Sequence, residues 1–236
     1  MNPQMLGTIL LGGVAAIDAA PFAQTFLAQP LVTGTLLGVL WGDWRTALQV
    51  AIVLQILASS TVPIGARTPE DFAVGGVVGV GAALALGTAG HAFPLNGDAR
   101  AMLGVMVGLL AATAGAGLLR WQRRLNEGLS RWCEGRLRLG DEGALAAAHR
   151  AAVGLAFAVG VAYCAAGLAA AVFGLQRLLA TESLWLAQAW RLAQPLWLGL
   201  GLAQLLHAFV QRRLTRIAVF GGALIAAWLT LVVGTP

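Results

Sequence analysis

The polar side chains in the first third of the chain are the ones that could do chemistry, because they interrupt long apolar runs. A charged group at the centre of a membrane helix costs about 2.5–3.5 kcal/mol on insertion scales. Chains keep such groups where they line a pathway, pair with one another or bind a polar ligand. The set comprises Asp18, Gln24, Gln29, Gln55, Arg67, Glu70 and Asp71.

Three of these charges fall within five positions in the segment 65–71, beside Pro63 and Pro69. One interpretation is an ordered loop that presents the three side chains to a ligand. The other is a plain solvated turn between two spans. The residues alone leave both interpretations open.

The motifs of soluble enzymes do not occur in this sequence. It contains no Walker loop with a Gly-Lys-Ser/Thr ending, no HExxH and no GxSxG. The three histidines are far apart and lie near the ends of candidate spans, and two cysteines are too few for a metal knuckle. We therefore expect no catalytic residue, no metal and no cofactor.

The composition indicates which elements must position the polar set. Hydrophobic residues make up 58% of the chain and charged residues 11%, against about 25% charged in an ordinary globular domain. The mean hydropathy is +0.79. These values exclude a disordered chain, a disulfide scaffold and a cytosolic enzyme, and they predict an integral membrane protein.

Candidate spans follow from the need for about 20 apolar residues to cross a bilayer. Upstream of residue 73 the apolar segments are short or interrupted, which predicts broken or re-entrant helices of the kind that build transporter binding sites. The fold class is therefore an all-α polytopic membrane protein with broken helical segments in its N-terminal third. The candidate segments are 5–27, 31–41, 46–62, 73–92, 101–119, 151–175, 183–209 and 217–234.

The basic residues predict an orientation. All 15 are arginines, and they give a formal net charge of +5. Seven lie in the insert 120–150 and three in 210–216, so the positive-inside rule places both inserts in the cytoplasm. The spans 151–175 and 183–209 then separate the two inserts. No basic soluble face exists, so we expect no nucleic-acid partner.

The insert 120–150 has a helical pattern of its own. Trp121, Leu125, Leu129 and Trp132 recur at helical spacing, with charged residues around the rest of the wheel. The pattern is typical of an amphipathic helix that lies on the membrane surface. A docking face for a cytosolic partner is the alternative.

Residues 30–79 resemble the IIC component of the mannose–fructose–sorbose family of bacterial phosphotransferase systems. The resemblance rests on the order and spacing of short motifs over about fifty residues. An upstream Asp followed by a Gln, here Asp18 and Gln24, fits one branch of that family. The motifs are Pro30-Leu31, Thr35-Leu36-Leu37-Gly38, Gly42-Asp43, Leu54-Gln55, Pro63-Ile64-Gly65-Ala66 and Pro69-Glu70-Asp71.

The resemblance implies a permease subunit of the bacterial cytoplasmic membrane that is not itself an enzyme. Such a subunit binds a sugar near the outer side, works with a IID membrane subunit, and delivers the sugar inward by an elevator-like movement. Cytosolic IIA and IIB components carry the phosphoryl group. Homo-oligomers of the IIC–IID unit, surrounded by membrane lipid, are expected.

The site residues follow from the chemistry of a sugar. Its hydroxyls donate and accept hydrogen bonds, so amides and carboxylates must converge on it from unwound backbone. We expect Asp18, Gln24, Gln55 and Asp71 to bind the sugar, and Gly65 to permit close approach of the backbone. Gln29, Arg67 and Glu70 are expected to lie next to the residues that bind the sugar. Arg67 is expected to pair with Glu70 or Asp71.

Two positions depart from the family pattern. The family Arg before Pro30 is Gln29 here, and the family Glu is Gln55. Removing one partner of a buried ion pair strands a charge at a cost of about 3–5 kcal/mol, whereas removing both avoids that cost. We therefore expect Gln29 and Gln55 to face each other, neutralised as a pair.

The chain is expected to form a single membrane transport domain over residues 1–236. Residues 1–92 would bind and move the sugar, 120–150 would be the cytoplasmic insert, and 151–236 would supply the C-terminal helices. The favoured function is sugar conduction. The alternatives are a regulatory or scaffold subunit that has lost transport, and a stand-alone solute carrier.

Overall fold

A computed structural model describes residues 2–19, 24–59, 70–88, 96–210, 212–215, 217–222 and 225, and every regular element in these ranges is an α-helix. The predicted all-α class is therefore confirmed. The candidate segment 217–234 lies mostly outside the described residues. In chain order the helices are α1 (Pro3–Asp18), α2 (Pro30–Trp41), α3 (Trp44–Ser59), α4 (Phe72–Thr88), α5 (Gly97–Arg138) and α6 (Ala144–Phe209).

The first four helices are too short to cross a bilayer. They contain 12 to 17 residues, which at 1.5 Å per residue is about 18–26 Å, against about 30 Å of hydrocarbon. The interruptions predicted for the first third of the chain are confirmed, because the segment 5–27 ends as a helix at Asp18. By length and composition, Gly97–Arg138 and Ala144–Leu175 are the two described helices that can span a membrane.

The ends of the short helices follow from local chemistry. Pro3 opens α1, where the Oδ1 atom of Asn2 accepts a hydrogen bond from the Gln4 amide at 3.1 Å. Pro30 likewise occupies the first position of α2, where Gln29 makes no side-chain capping hydrogen bond. The helix ends at Gly42, whose φ of 72° is left-handed and costs glycine little. The chain can therefore reverse directly into α3.

Helix α4 lies at the centre of the bundle. Residues 73–86 are buried without exception, and α4 contacts each of the other five helices. A helix that is apolar all round is expected in such a position. Its glycines let α5 approach closely, because a Cβ atom on Gly79 would lie 2.6 Å from the carbonyl oxygen of Gly104.

The bundle has two distinct ends. At the hairpin end, defined by the Gly42–Asp43 turn, Arg100 at the start of α5 pairs with Asp43 at 2.9 Å. At the arginine end, α5 passes residue 119 without a break and continues through the polar insert to Arg138. The helix predicted in this insert is therefore a continuation of the span, and the chain reverses only at Gly140, whose φ is 83°.

The sequence predicted two separate spans, 151–175 and 183–209, whereas the structure has one helix, α6, that covers both. Leu168 packs against Gly81 of α4, and Leu186 clusters with Leu86. A straight helix would hold Leu168 and Leu186 about 27 Å apart, whereas Gly81 and Leu86 are about 7.5 Å apart along α4. The axis of α6 therefore bends.

The exposed surface is apolar where a bilayer would contact it. Val39, Leu110 and Phe173 are 76%, 68% and 78% exposed. Large apolar side chains so exposed on three different helices suit lipid rather than water. The protein is an integral membrane protein.

The contact between α4 and α5 generates a prediction. On Gly104 a Cβ atom would lie 2.8 Å from the Ala83 side chain and 2.9 Å from the Gly79 carbonyl oxygen. We expect Gly104→Ala to lower the free energy of unfolding by about 1–3 kcal/mol through overpacking. Thermal denaturation in detergent measures the change.

Gly128→Ala is the matched control on the same helix, because nothing lies within 4 Å of a Cβ atom there. It should be neutral or stabilising by up to about 1 kcal/mol, since alanine favours helix over glycine. Equal losses in the two variants would contradict close packing at Gly104.

Candidate functional site

A cavity of about 710 Å³ lies where the four short helices stop, at the arginine end of the bundle. Its volume is within the range of about 300–1,000 Å³ that is usual for ligand sites. All six helices contribute to the wall. The lining residues are Ala16, Ala19, Ala28, Gln29, Pro30, Gln55, Ala58, Ser59, Glu70, Asp71, Phe72, Ala73, Val74, Leu118, Leu119, Gln122, Arg123, Asn126, Val159, Gly160 and Tyr163.

Asp71 is fixed in the wall by the start of α4. Its Oδ1 atom accepts a hydrogen bond from the Val74 amide at 3.2 Å, which caps the helix. Its own amide donates to the carbonyl oxygen of Ala112 on α5 at 2.9 Å. The side chain is buried. Asp71 therefore has a fixed position between two helices, with carboxylate acceptor sites beyond the one that caps α4.

Gln29 and Gln55 face each other across the cavity wall, as the sequence predicted. The Nε2 atom of Gln55 donates to the Oε1 atom of Gln29 at 2.5 Å. The Oε1 atom of Gln55 accepts from the Leu31 amide at 3.2 Å. The Gln55 side chain thus joins the end of α3 to the first turn of α2, whose N-terminal N–H groups need a partner.

The long helices supply polar groups that the sequence analysis did not assign to a site. Gln122, Arg123 and Asn126 line the cavity from α5, and the Oδ1 atom of Asn126 is buried without a hydrogen-bond partner among the described residues. Tyr163 on α6 donates its hydroxyl to the Ala111 carbonyl oxygen at 2.6 Å. The i, i+4 spacing of the two amides was a usable signal, because it places both on one face of α5.

Four of the predicted site residues come together in this cavity. They are Gln55 and Asp71, with Gln29 and Glu70 beside them. Gly65 and Arg67 lie outside the described residues. Asp18 and Gln24 are described but do not belong to the cavity lining.

Asp18 instead binds the turn that follows α1. Its Oδ1 atom accepts from the amide and the hydroxyl of Thr25, at 2.6 and 2.9 Å. Its Oδ2 atom accepts from the Ala28 amide at 2.9 Å. Gln24 has an exposed side chain and a φ of 51°. These contacts place Asp18 in the framework of the site and Gln24 at the surface of the turn.

The electrostatics of the cavity suit a neutral polar solute. Two carboxylates, Glu70 and Asp71, share the wall with the guanidinium of Arg123. Neither histidine nor cysteine lines the cavity in the part of the chain that the structure describes. The arrangement can donate and accept hydrogen bonds, but its lining offers no imidazole base or thiol nucleophile for covalent chemistry.

Comparison with known proteins identifies one family, and solved structures with a similar fold include the two described here. The model of the family EII-Sor, described as the "PTS system sorbose-specific iic component", matches residues 4–235. No curated protein sequence matches. A structure titled "Structure of membrane protein" superposes with a TM-score of 0.68 at 18% identity, covering 98% of this chain and 96% of its own.

The second structure is the "CryoEM Structure of Mannose Transporter ManYZ and Microcin E492 (MceA) complex". Its TM-score is 0.57 at 17% identity, and the match covers 98% of this chain and 96% of the other. At these identities the two structures show a common fold.

The contact between Gln29 and Gln55 generates a prediction. Gln55→Glu alone should destabilise the protein, since it introduces a charge that lacks a cationic partner at position 29. Adding Gln29→Arg should recover part of the loss. Because the side chains touch, we expect a coupling energy of about 0.5–3 kcal/mol in the double-mutant cycle.

Thermal denaturation of the two single variants and the double variant in detergent measures this coupling. Gln49→Glu on the same helix, combined with Gln29→Arg, is the control cycle, because Gln49 lines a different cavity. Additive effects in the first cycle would refute the pairing of these positions.

Proposed function

The chain belongs to the family of sorbose-specific IIC components of the phosphotransferase system (PTS), and from that premise we propose how it handles its substrate. Membership makes it a sugar permease component in a membrane, a transporter subunit rather than a catalytic enzyme. We propose that the cavity at the arginine end binds a single sugar during transport. The sugar itself would be bound through hydroxyls alone.

The observation that carries this proposal is the convergence of hydrogen-bonding groups on one cavity. Gln29, Gln55, Asp71 and Asn126 come from four different elements and line the same space. The Oδ1 atom of Asn126 has no hydrogen-bond partner among the described residues, and buried acceptors are seldom left unpaired. A sugar hydroxyl is a suitable donor for it.

The position of the cavity suggests the stage of transport. It extends along α5 as far as Asn126, beside the arginines of the polar insert. If these arginines mark the cytoplasmic side, the cavity faces the cytoplasm of a bacterial inner membrane. That is where a IIB component would phosphorylate the sugar, after an elevator-like movement from the outer side.

The proposed working unit contains further subunits. The similar structure of mannose transporter ManYZ is a complex with microcin E492. We propose that this chain pairs with a IID subunit and assembles as copies of the IIC–IID unit. Cytosolic IIA and IIB components would transfer the phosphoryl group to the sugar that this unit delivers. Residues 1–92 would carry the sugar, and 151–236 would contribute scaffold.

A scaffold subunit without transport is the second candidate, and one observation favours it. Gln29 and Gln55 hydrogen-bond to each other, so part of their capacity is unavailable to a ligand. A stand-alone solute carrier has less support. Such a carrier needs pairs of charged residues within its spans to couple transport to an ion, and residues 101–119 and 151–175 contain no Asp, Glu, Lys, Arg or His.

Uptake of radiolabelled mannose and sorbose by cells that express this chain with its IID subunit tests the proposal. Gln55→Ala should weaken apparent sugar affinity about tenfold, since about 1.4 kcal/mol is a typical loss for one hydrogen bond. Asp71→Asn should also weaken it. Asparagine still caps a helix, so this loss would not reflect misfolding.

Gln49→Ala is the matched control, because Gln49 is a half-buried glutamine of α3 that lies outside this cavity. Its uptake should equal that of the unmodified chain. Unchanged uptake in both Gln55→Ala and Asp71→Asn would remove these residues from the site. Uptake of neither sugar by the unmodified complex would favour the scaffold candidate.

A further inference from the structure

We propose that Asp18 is a positioning residue of the sugar cavity. Its carboxylate would fix the turn Gln24–Gln29 and, through that turn, the place of Gln29 in the cavity wall. This positioning role replaces the direct sugar contact that the sequence predicted for Asp18. It rests on the proposed function, since it concerns the same cavity.

Most of the hydrogen-bond acceptor sites of the Asp18 carboxylate are occupied by donors within the protein. An ionised carboxylate has about four acceptor sites, and three of them receive hydrogen bonds from Thr25 and Ala28. The side chain is 5% exposed. These three donors all belong to the turn, so the interaction joins the end of α1 to the segment that precedes α2.

The turn has a backbone that needs such support. Gln24 and Phe26 have φ angles of 51° and 71°, in the left-handed region that side chains other than glycine seldom adopt. Conformations of this kind persist only where surrounding contacts determine them. Phe26 is 70% exposed, so its side chain supplies little packing. The hydrogen bonds from Thr25 and Ala28 to Asp18 are contacts that hold this backbone.

The position of the turn determines the position of one wall of the cavity. The Gln29 amide donates to the carbonyl oxygen of Phe26 at 2.9 Å, which closes the turn. Gln29 then precedes Pro30 at the start of α2, and its side chain accepts from Gln55. Ala28, Gln29 and Pro30 all line the cavity. A turn that shifts would therefore move one wall of the site.

A crosslinking experiment tests the positioning without any sugar. Cysteines replace Gln29 and Gln55 in the full chain, expressed with its IID subunit, after Cys133→Ser and Cys164→Ala remove the native thiols. The rate of crosslinking by a short bismaleimide is measured in membranes. Asp18→Asn should slow it about tenfold, because an amide nitrogen cannot accept the hydrogen bond that a carboxylate oxygen accepts.

Two further variants separate positioning from general instability. Thr25→Val removes one donor to Asp18 and should slow crosslinking, whereas Thr25→Ser keeps the hydroxyl and should restore the rate. Asp98→Asn is the matched control, since that carboxylate lies at the hairpin end and pairs with Arg191. Unchanged crosslinking in both Asp18→Asn and Thr25→Val would overturn the proposal.

Sugar uptake then distinguishes positioning from direct contact. With mannose, sorbose and monodeoxy derivatives as probes, Asp18→Asn should raise KM by the same factor for every sugar that is transported, and leave Vmax within about twofold. A loss that disappears for one deoxy sugar would assign a direct contact and overturn the proposal. If no probe is transported, the proposed function fails, while crosslinking still decides the role of Asp18.

Discussion

The structure depends on hydrogen bonds that satisfy the backbone at the ends of its four short helices. Four helices stop short of the full hydrocarbon thickness, and each helix end leaves several backbone N–H or C=O groups without an intrahelical partner. Lipid cannot supply the missing hydrogen bonds. Side chains do so instead, since Asp18 binds the turn before α2, Gln55 binds the first turn of α2, and Asp71 caps α4. Two of these groups, Gln55 and Asp71, line the cavity, because the cavity is the space that the short helices leave.

This constraint changes the meaning of the polar residues in the first third of the chain. A bound solute was expected to explain them, whereas the side chains of Asp18, Gln55 and Asp71 each accept a hydrogen bond from a backbone amide. A bound sugar would use the hydrogen-bonding sites of these side chains that the backbone leaves free. A site built in this way is rigid, because a group that moved toward a ligand would leave a backbone N–H unpaired.

Sequence predicted the features that local chemistry determines. Short helices follow from Pro30, Gly42 and the buried polar residues. The contact between Gln29 and Gln55 was expected from the resemblance, since the family has a charge at each of these positions and a lone charge would be costly. The role of Asp18 was not predictable, because its partners depend on left-handed backbone at two residues other than glycine. The bend in α6 was missed for a similar reason, since hydropathy records polarity and not the direction of an axis.

The two ends of the bundle are held by different forces, and the difference bears on movement. At the arginine end amides, two carboxylates and the Arg123 guanidinium line a cavity, whereas at the hairpin end Arg100 pairs with Asp43 and is only 15% exposed. An arrangement open at the hairpin end would have to separate this pair if the α2–α3 hairpin moved away from α5. Separation leaves a largely buried guanidinium without its carboxylate, which is costly unless water or another acceptor replaces it. The Arg100–Asp43 pair therefore opposes a separation of the α2–α3 hairpin from α5.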